Sequence, residues 1–180
     1  MMTDGEPGLF AELRALVRDV PGFPKPGIIF KDITPLLANA VLFARATEAM
    51  TAPFKGRGIT HVASIESRGF ILGAPVAQAL RAGFIPVRKR GKLPFRTEAV
   101  DYALEYGTDR VEIHVDACTA GDRVLVVDDV LATGGTAAAT CELLERVGAT
   151  VEGCSFLIAI EALKGHVKLG GREVRTLLNL

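Results

Sequence analysis

The sequence predicts an α/β fold, a central and mainly parallel sheet flanked by helices. Three observations carry this. From residue 61 onward, strand-length apolar runs alternate with helix-length segments, the pattern of parallel strands joined by crossover helices. The run Arg123–Asp128 is almost uninterrupted valine and leucine up to its acid, as in a strand covered on both faces. Polar, glycine-containing turns follow two of these runs, and ligands bind at the carboxyl ends of strands in such sheets.

The elements follow in order. Leu9, Leu13, Leu16, Val17 and Val20 recur at helical spacing, which predicts an amphipathic helix stopped by Pro21-Gly22. Residues 21–35 are rich in Pro and Gly and read as an ordered irregular loop carrying a short extended piece, Gly27 to Asp32. A helix is expected from Ala40 to Met50, then a buried strand from His61 to Ile65 and a turn, Glu66-Ser67-Arg68-Gly69. Ile71 to Arg81 reads as a helix closed by Gly83, and Phe84 to Val87 as a strand. Val100–Glu105 and Arg110–Val115 form a hairpin pattern, with Val111, Ile113 and Val115 alternating on one face. After the strand Arg123–Asp128, a helix is predicted from Thr136 to Val147 and a strand from Val151 to Ile160. The tail to Leu180 is mixed and yields no element.

The chain has 180 residues, the size of one domain, with no repeat or linker. Lys plus Arg equals Asp plus Glu, 21 each, so the basic excess of a nucleic-acid or acidic-membrane binder is missing. Cys118, Cys141 and Cys154 are odd in number and scattered, which predicts reduced thiols and no zinc site. No apolar run reaches the roughly 18 residues of a membrane span. A soluble, cytoplasmic protein is expected.

The chemistry concentrates in Val124-Leu125-Val126-Val127-Asp128-Asp129-Val130-Leu131-Ala132-Thr133-Gly134-Gly135-Thr136. Ionised carboxylates accept hydrogen bonds only, which suits the two hydroxyls of a cis-diol. Regular pleating sends neighbouring side chains to opposite faces, so the two acids are expected at the strand's end, where a turn can re-aim both. Thr133-Gly134-Gly135-Thr136 then opens a helix whose backbone N–H groups can cradle an anion. No lysine follows the glycines, as it does in the nucleotide-binding P-loop, so a terminal monophosphate fits best. A solvated acid pair followed by an ordinary helix cap is the plain alternative.

Together with Pro26 to Thr34, Glu66-Ser67-Arg68-Gly69-Phe70, Val87 to Pro94 and Leu104-Glu105-Tyr106-Gly107, this motif resembles the type I phosphoribosyltransferase family, in particular its adenine-specific members. The resemblance covers most of the chain from about Pro21 to Lys164. It implies a small hood over residues 21–35, a mobile lid over about 92–110, a homodimer, and Mg²⁺ held mainly by substrate. It implies transfer of phosphoribosyl from 5-phosphoribosyl 1-pyrophosphate to adenine, giving AMP and pyrophosphate.

By the same resemblance Asp128 and Asp129 hold the ribose, and Ala132, Thr133, Gly134, Gly135 and Thr136 the 5′-phosphate. Glu66, Ser67, Arg68, Arg88, Lys89 and Lys92 fall to the pyrophosphate. Ile29, Phe30, Lys31 and Ile160 fall to the adenine, with Phe30 stacking on the ring. Glu105 is the lid acid that manages the purine's proton, and Tyr106 gates or orients the base. Lys31 stands where many members carry Arg, and Glu66 where some carry Asp. Rival readings are transfer to hypoxanthine, guanine or xanthine, and a ligand-sensing regulator without turnover.

Overall fold

The computed structural model describes residues 7–103 and 107–180. Helix α1 (Pro7–Ala15) ends earlier than its apolar spacing predicts. Leu16 and Val17 close it with short-range bonds to Leu13 and Arg14, and the chain then extends as β1 (Arg18–Pro21). Val17 and Val20 continue the helical spacing by coincidence. What ends the helix is pairing with the distant β2 (Ile29–Asp32), antiparallel from Arg18↔Asp32 to Pro21↔Ile29. Residues 21–35 therefore lie partly in a two-stranded ribbon.

The short α2 (Thr34–Leu37) leads to α3 (Ala40–Thr51), whose N-cap Asn39 accepts the Leu42 N–H. Then come β3 (His61–Ile65), α4 (Arg68–Leu80), β4 (Gly83–Lys89), β5 (Thr97–Ala103), β6 (Thr108–His114), β7 (Arg123–Leu131), α5 (Gly135–Arg146), β8 (Thr150–Ala159) and β9 (Val174–Asn179). The α/β expectation holds. The large sheet has seven strands in the order β5-β6-β4-β3-β7-β8-β9, parallel from β4 through β9 and antiparallel at the β5–β6 hairpin.

Strand pleating divides the core. Val62, Leu125 and Val127 pack with Leu13, Leu36, Met50 and Leu72. Ala63, Val124 and Val126 face the other way, toward Leu143 and Leu144 of α5 and Val100 and Val111 of the hairpin. Helices α3 and α4 thus cover one face and α5 the other. The three cysteines are free and buried.

Three elements depart from the sequence-based boundaries in ways that shape the site. Helix α4 starts at Arg68, so Arg68 and Gly69 belong to a helical first turn. Strand β7 runs on to Leu131, so no turn re-aims the two acids; both sit inside a strand. The tail supplies an edge strand, β9, paired in parallel with β8 from Cys154↔Val174 to Ala159↔Asn179. The topological switch lies at β3, which has β4 on one side and β7 on the other. Crossovers leave in opposite directions there, opening a crevice at the carboxyl ends of β3 and β7.

Candidate active site

A cavity of about 1040 Å³ occupies that crevice. Its walls come from the β2 ribbon, the β3–α4 turn, the end of β4, the end of β7 with the start of α5, the stretch after β8, and the residue after β9. Pairing between β3 and β7 stops at Ser64↔Val127. Asp128 is therefore the first β7 residue without a β3 partner, and the sheet is open beside it. This open edge, in place of the expected turn, lets consecutive residues on opposite faces line one cavity.

Asp128 is half-buried, and its Oδ1 accepts the Asp129 N–H at 2.9 Å. It lies under the first turn of α4, where a Cβ on Gly69 would stand 2.6 Å from Asp128 Oδ1. A side chain at that position would displace the Asp128 carboxylate. Loss of water and then the neighbouring charge of Asp129 push the Asp128 carboxyl well above the usual carboxylate range. Asp129 is 5% exposed, with Oδ2 2.8 Å from Arg68 Nε. The approach is a charge contact without hydrogen-bond alignment, since Asp129 Oδ2 and Arg68 Nη1 are both buried without a hydrogen-bond partner. Such groups are costly to leave unsatisfied, so each has capacity for a ligand.

Arg68 also stacks over Phe30, its guanidinium carbon 4.5 Å from the ring centroid. Phe30 is held edge-on by Phe23 at 5.1 Å. The Lys31 ammonium is taken by Asp19 across the β1–β2 ribbon at 2.8 Å. Ile29, Phe30, Lys31 and Ile160 all line the cavity.

The Glu66–Ser67 peptide is cis. The Glu66 carboxylate accepts from Arg88 Nε at 2.5 Å and from the Lys89 N–H at 3.1 Å. Burial opposes the charge on Glu66, but these bonds outweigh it and hold the carboxyl below its ordinary range. Lys89 donates to Tyr102 and Asp109, which face each other near the β5–β6 connection. Burial again opposes its charge, and the Asp109 and Tyr102 bonds outweigh it, keeping the ammonium above its usual value. Of Arg88, Lys89 and Lys92, only Lys89 lines the cavity; Arg88 is held by Glu66, and Lys92 is exposed.

Ala132, Thr133 and Thr136 complete the wall, and Gly134, in the left-handed region at φ 78°, turns the chain into α5. No side chain caps that helix, so its first N–H groups remain available to an anion. Leu163 and Leu180 also line the cavity. Both come from the tail that the sequence left unassigned, and only the apolar run into Ile160 hinted at it. Glu105 and Tyr106 lie outside the described residues.

This arrangement sets two carboxylates, an open helix N-terminus and an aromatic ring around one cavity. The phosphoribosyl transferase domain family matches residues 35–169. An adenine phosphoribosyltransferase from Myxococcus xanthus is 58% identical over 170 residues, covering 94% of this chain and 92% of its own length. The chain belongs to the adenine phosphoribosyltransferase family. The crystal structure of the Rhodothermus marinus enzyme superposes with a TM-score of 0.93 at 53% identity, covering 96% of this chain and 99% of that one. The Saccharomyces cerevisiae enzyme, solved with adenine and an imino-altritol bisphosphate, gives 0.89 at 39% identity, covering 94% and 98%. Among the described residues, no helix of this family member is long and apolar enough to cross a membrane.

Proposed function

We propose that this cavity transfers the phosphoribosyl group of 5-phosphoribosyl 1-pyrophosphate to adenine, releasing AMP and pyrophosphate. The carrying observation is that Phe30, Arg68, Asp128, Asp129 and the uncapped start of α5 meet in one cavity. In this reading Asp128 and Asp129 accept the ribose hydroxyls, and residues 132–136 bind the 5′-phosphate through backbone N–H groups and threonine hydroxyls. Ser67, Arg68 and Lys89 face the pyrophosphate. Arg88 and Lys92 add positive charge without lining the cavity, and Glu66 acts by bracing Arg88.

The anomeric C–O bond breaks as pyrophosphate leaves with its electron pair. A purine nitrogen supplies the pair for the new bond and loses its proton, for which Glu105 is the proposed acceptor. Positive charge developing on the sugar is stabilised by the adjacent carboxylates, and negative charge on the leaving group by the cations. Phe30 stacks on the base opposite Ile160, and main-chain groups of Ile29 and Lys31 read its edge.

Mg²⁺ belongs to this reading as an ion carried on the diphosphate, where it would neutralise charge. Among the described residues no group of three or more His, Cys, Asp or Glu could hold a metal, and no step is assigned through the ion. The ribbon at residues 21–35 serves as the hood, and the 92–110 segment as the lid that excludes water, within one domain. A cytoplasmic homodimer completes the proposal.

Steady-state kcat/KM with adenine, guanine and hypoxanthine tests it. Adenine is expected far above the others; equal use of guanine would remove the specificity assignment.

A further inference from the structure

Two glycines meet backbone to backbone behind the proposed phosphate loop. After Ile160 the chain makes two short 3₁₀ turns, Glu161–Leu163 and Gly165–Leu169. The second is anchored by Leu169, fully buried in the same apolar cluster as Ala137 and Cys141 of α5. A Cβ on Gly165 would stand 2.2 Å from the Ala132 carbonyl oxygen and 3.0 Å from the Gly134 nitrogen. A Cβ on Gly134 would stand 2.1 Å from the Gly165 carbonyl oxygen. Every one of these neighbours is backbone, which cannot swing aside as a side chain can. The contact is reciprocal, and the Gly165 turn forms the back wall of the loop.

The two positions differ in one useful way. Gly134 has φ 78°, so any side chain there is strained whatever the space around it. Gly165 is not among the positive-φ residues, so a methyl group at that position tests the contact alone.

We propose that Gly165 is a positioning residue for the sugar donor. By abutting Ala132 and Gly134, it fixes the curvature that aims the loop and the open end of α5 at the 5′-phosphate. The inference rests on the loop assignment made above and gives the tail a role in catalysis that its sequence did not suggest. A methyl group at Gly165 must push the loop outward, toward the space the phosphate needs.

The test compares full-length Gly165→Ala with the wild type and with Val167→Ala, which trims a side chain 67% exposed on the same turn. Readouts are KM for both substrates, kcat, and binding of ribose 5-phosphate and of inorganic pyrophosphate. Because a misplacement of about 1 Å can cost ~10²-fold, Gly165→Ala is expected to weaken ribose 5-phosphate and donor at least ~10-fold, leaving pyrophosphate and adenine within about twofold. Val167→Ala should match the wild type. Unchanged ribose 5-phosphate binding in a folded Gly165→Ala protein, or equal weakening of every ligand, overturns the proposal. Should that variant fail to fold, Leu169→Ala loosens the anchor without adding atoms to the loop, and the same selective loss is required of it. Thr136→Val separates the two levels. If it weakens ribose 5-phosphate and Gly165→Ala does not, the Gly165 role alone falls. If neither does, the loop assignment falls with it.

Discussion

The guanidinium of Arg68 lies 4.5 Å above the ring of Phe30, and its Nε stands 2.8 Å from Asp129. One cation thus joins the surface proposed for the base to the carboxylate proposed for the sugar. Its Nη1 is buried without a hydrogen-bond partner, so a diphosphate oxygen would satisfy a donor that the protein leaves open. Removing a charged hydrogen-bond partner costs about 1.5–3 kcal/mol, so Arg68→Ala should raise the donor KM by roughly 10- to 150-fold. Arg68→Lys should recover only part, since an ammonium lacks the planar stack and fork. Steady-state kinetics with varied donor checks both.

The Asp128 carboxyl is held above the usual carboxylate range, first by burial and then by the charge of Asp129. Its folded pKa exceeds its unfolded one, so between the two values the folded chain binds more protons. Stability from this group is therefore present at low pH and declines as pH rises through that window. Asp128→Asn keeps the oxygen that accepts the Asp129 N–H and removes the repulsion. It should raise Tm at neutral pH, by roughly 2–4 °C per kcal/mol relieved, while reducing turnover. In the wild type, donor kcat/KM should fall at acid pH with a limb above the ordinary carboxylate range, and that limb should vanish in the variant. Calorimetry and a pH–rate profile read these outcomes.

The difference between what the sequence disclosed and what it hid follows from interaction range. The valine-rich β7 and the start of α5 were legible because burial on both faces and a glycine-containing helix entry are local signals. The end of α1 was not, because each residue of Arg18–Pro21 takes its strand form from a partner in β2, beyond the reach of a local helical pattern. Strand β9 depends likewise on β8 across the intervening turns. Asp128 and Asp129 were legible as a pair, but the route by which both reach the cavity was not. It depends on where β3 stops pairing, which β7 itself does not encode.

Phe30 is half-buried, with Phe23 at its edge and Arg68 on its face. Stacking of a base on an aromatic ring is worth about 1–3 kcal/mol, so Phe30→Ala should raise the adenine KM by roughly 5- to 150-fold. The donor KM should change little. A variant that loses donor affinity and keeps adenine affinity would move the base elsewhere in the cavity.

Glu105 is proposed to take the purine's proton as the new bond forms. A positioned acid or base contributes typically ~10²–10⁴ in rate, so Glu105→Gln should lower kcat by about that factor with both KM values nearly unchanged. Single-turnover kinetics isolates the chemical step. An unchanged rate would assign the proton to another group.

In the proposed function one cavity holds the base on Phe30, the ribose on the Asp128–Asp129 pair, and the phosphate at the start of α5. A crystal structure of the chain with AMP tests it most directly. The expected result is the adenine ring against Phe30, both ribose hydroxyls donating to the two carboxylates, and the phosphate among the N–H groups of residues 133–136. A nucleotide bound with its phosphate away from that loop, or its ribose out of reach of both acids, would contradict it.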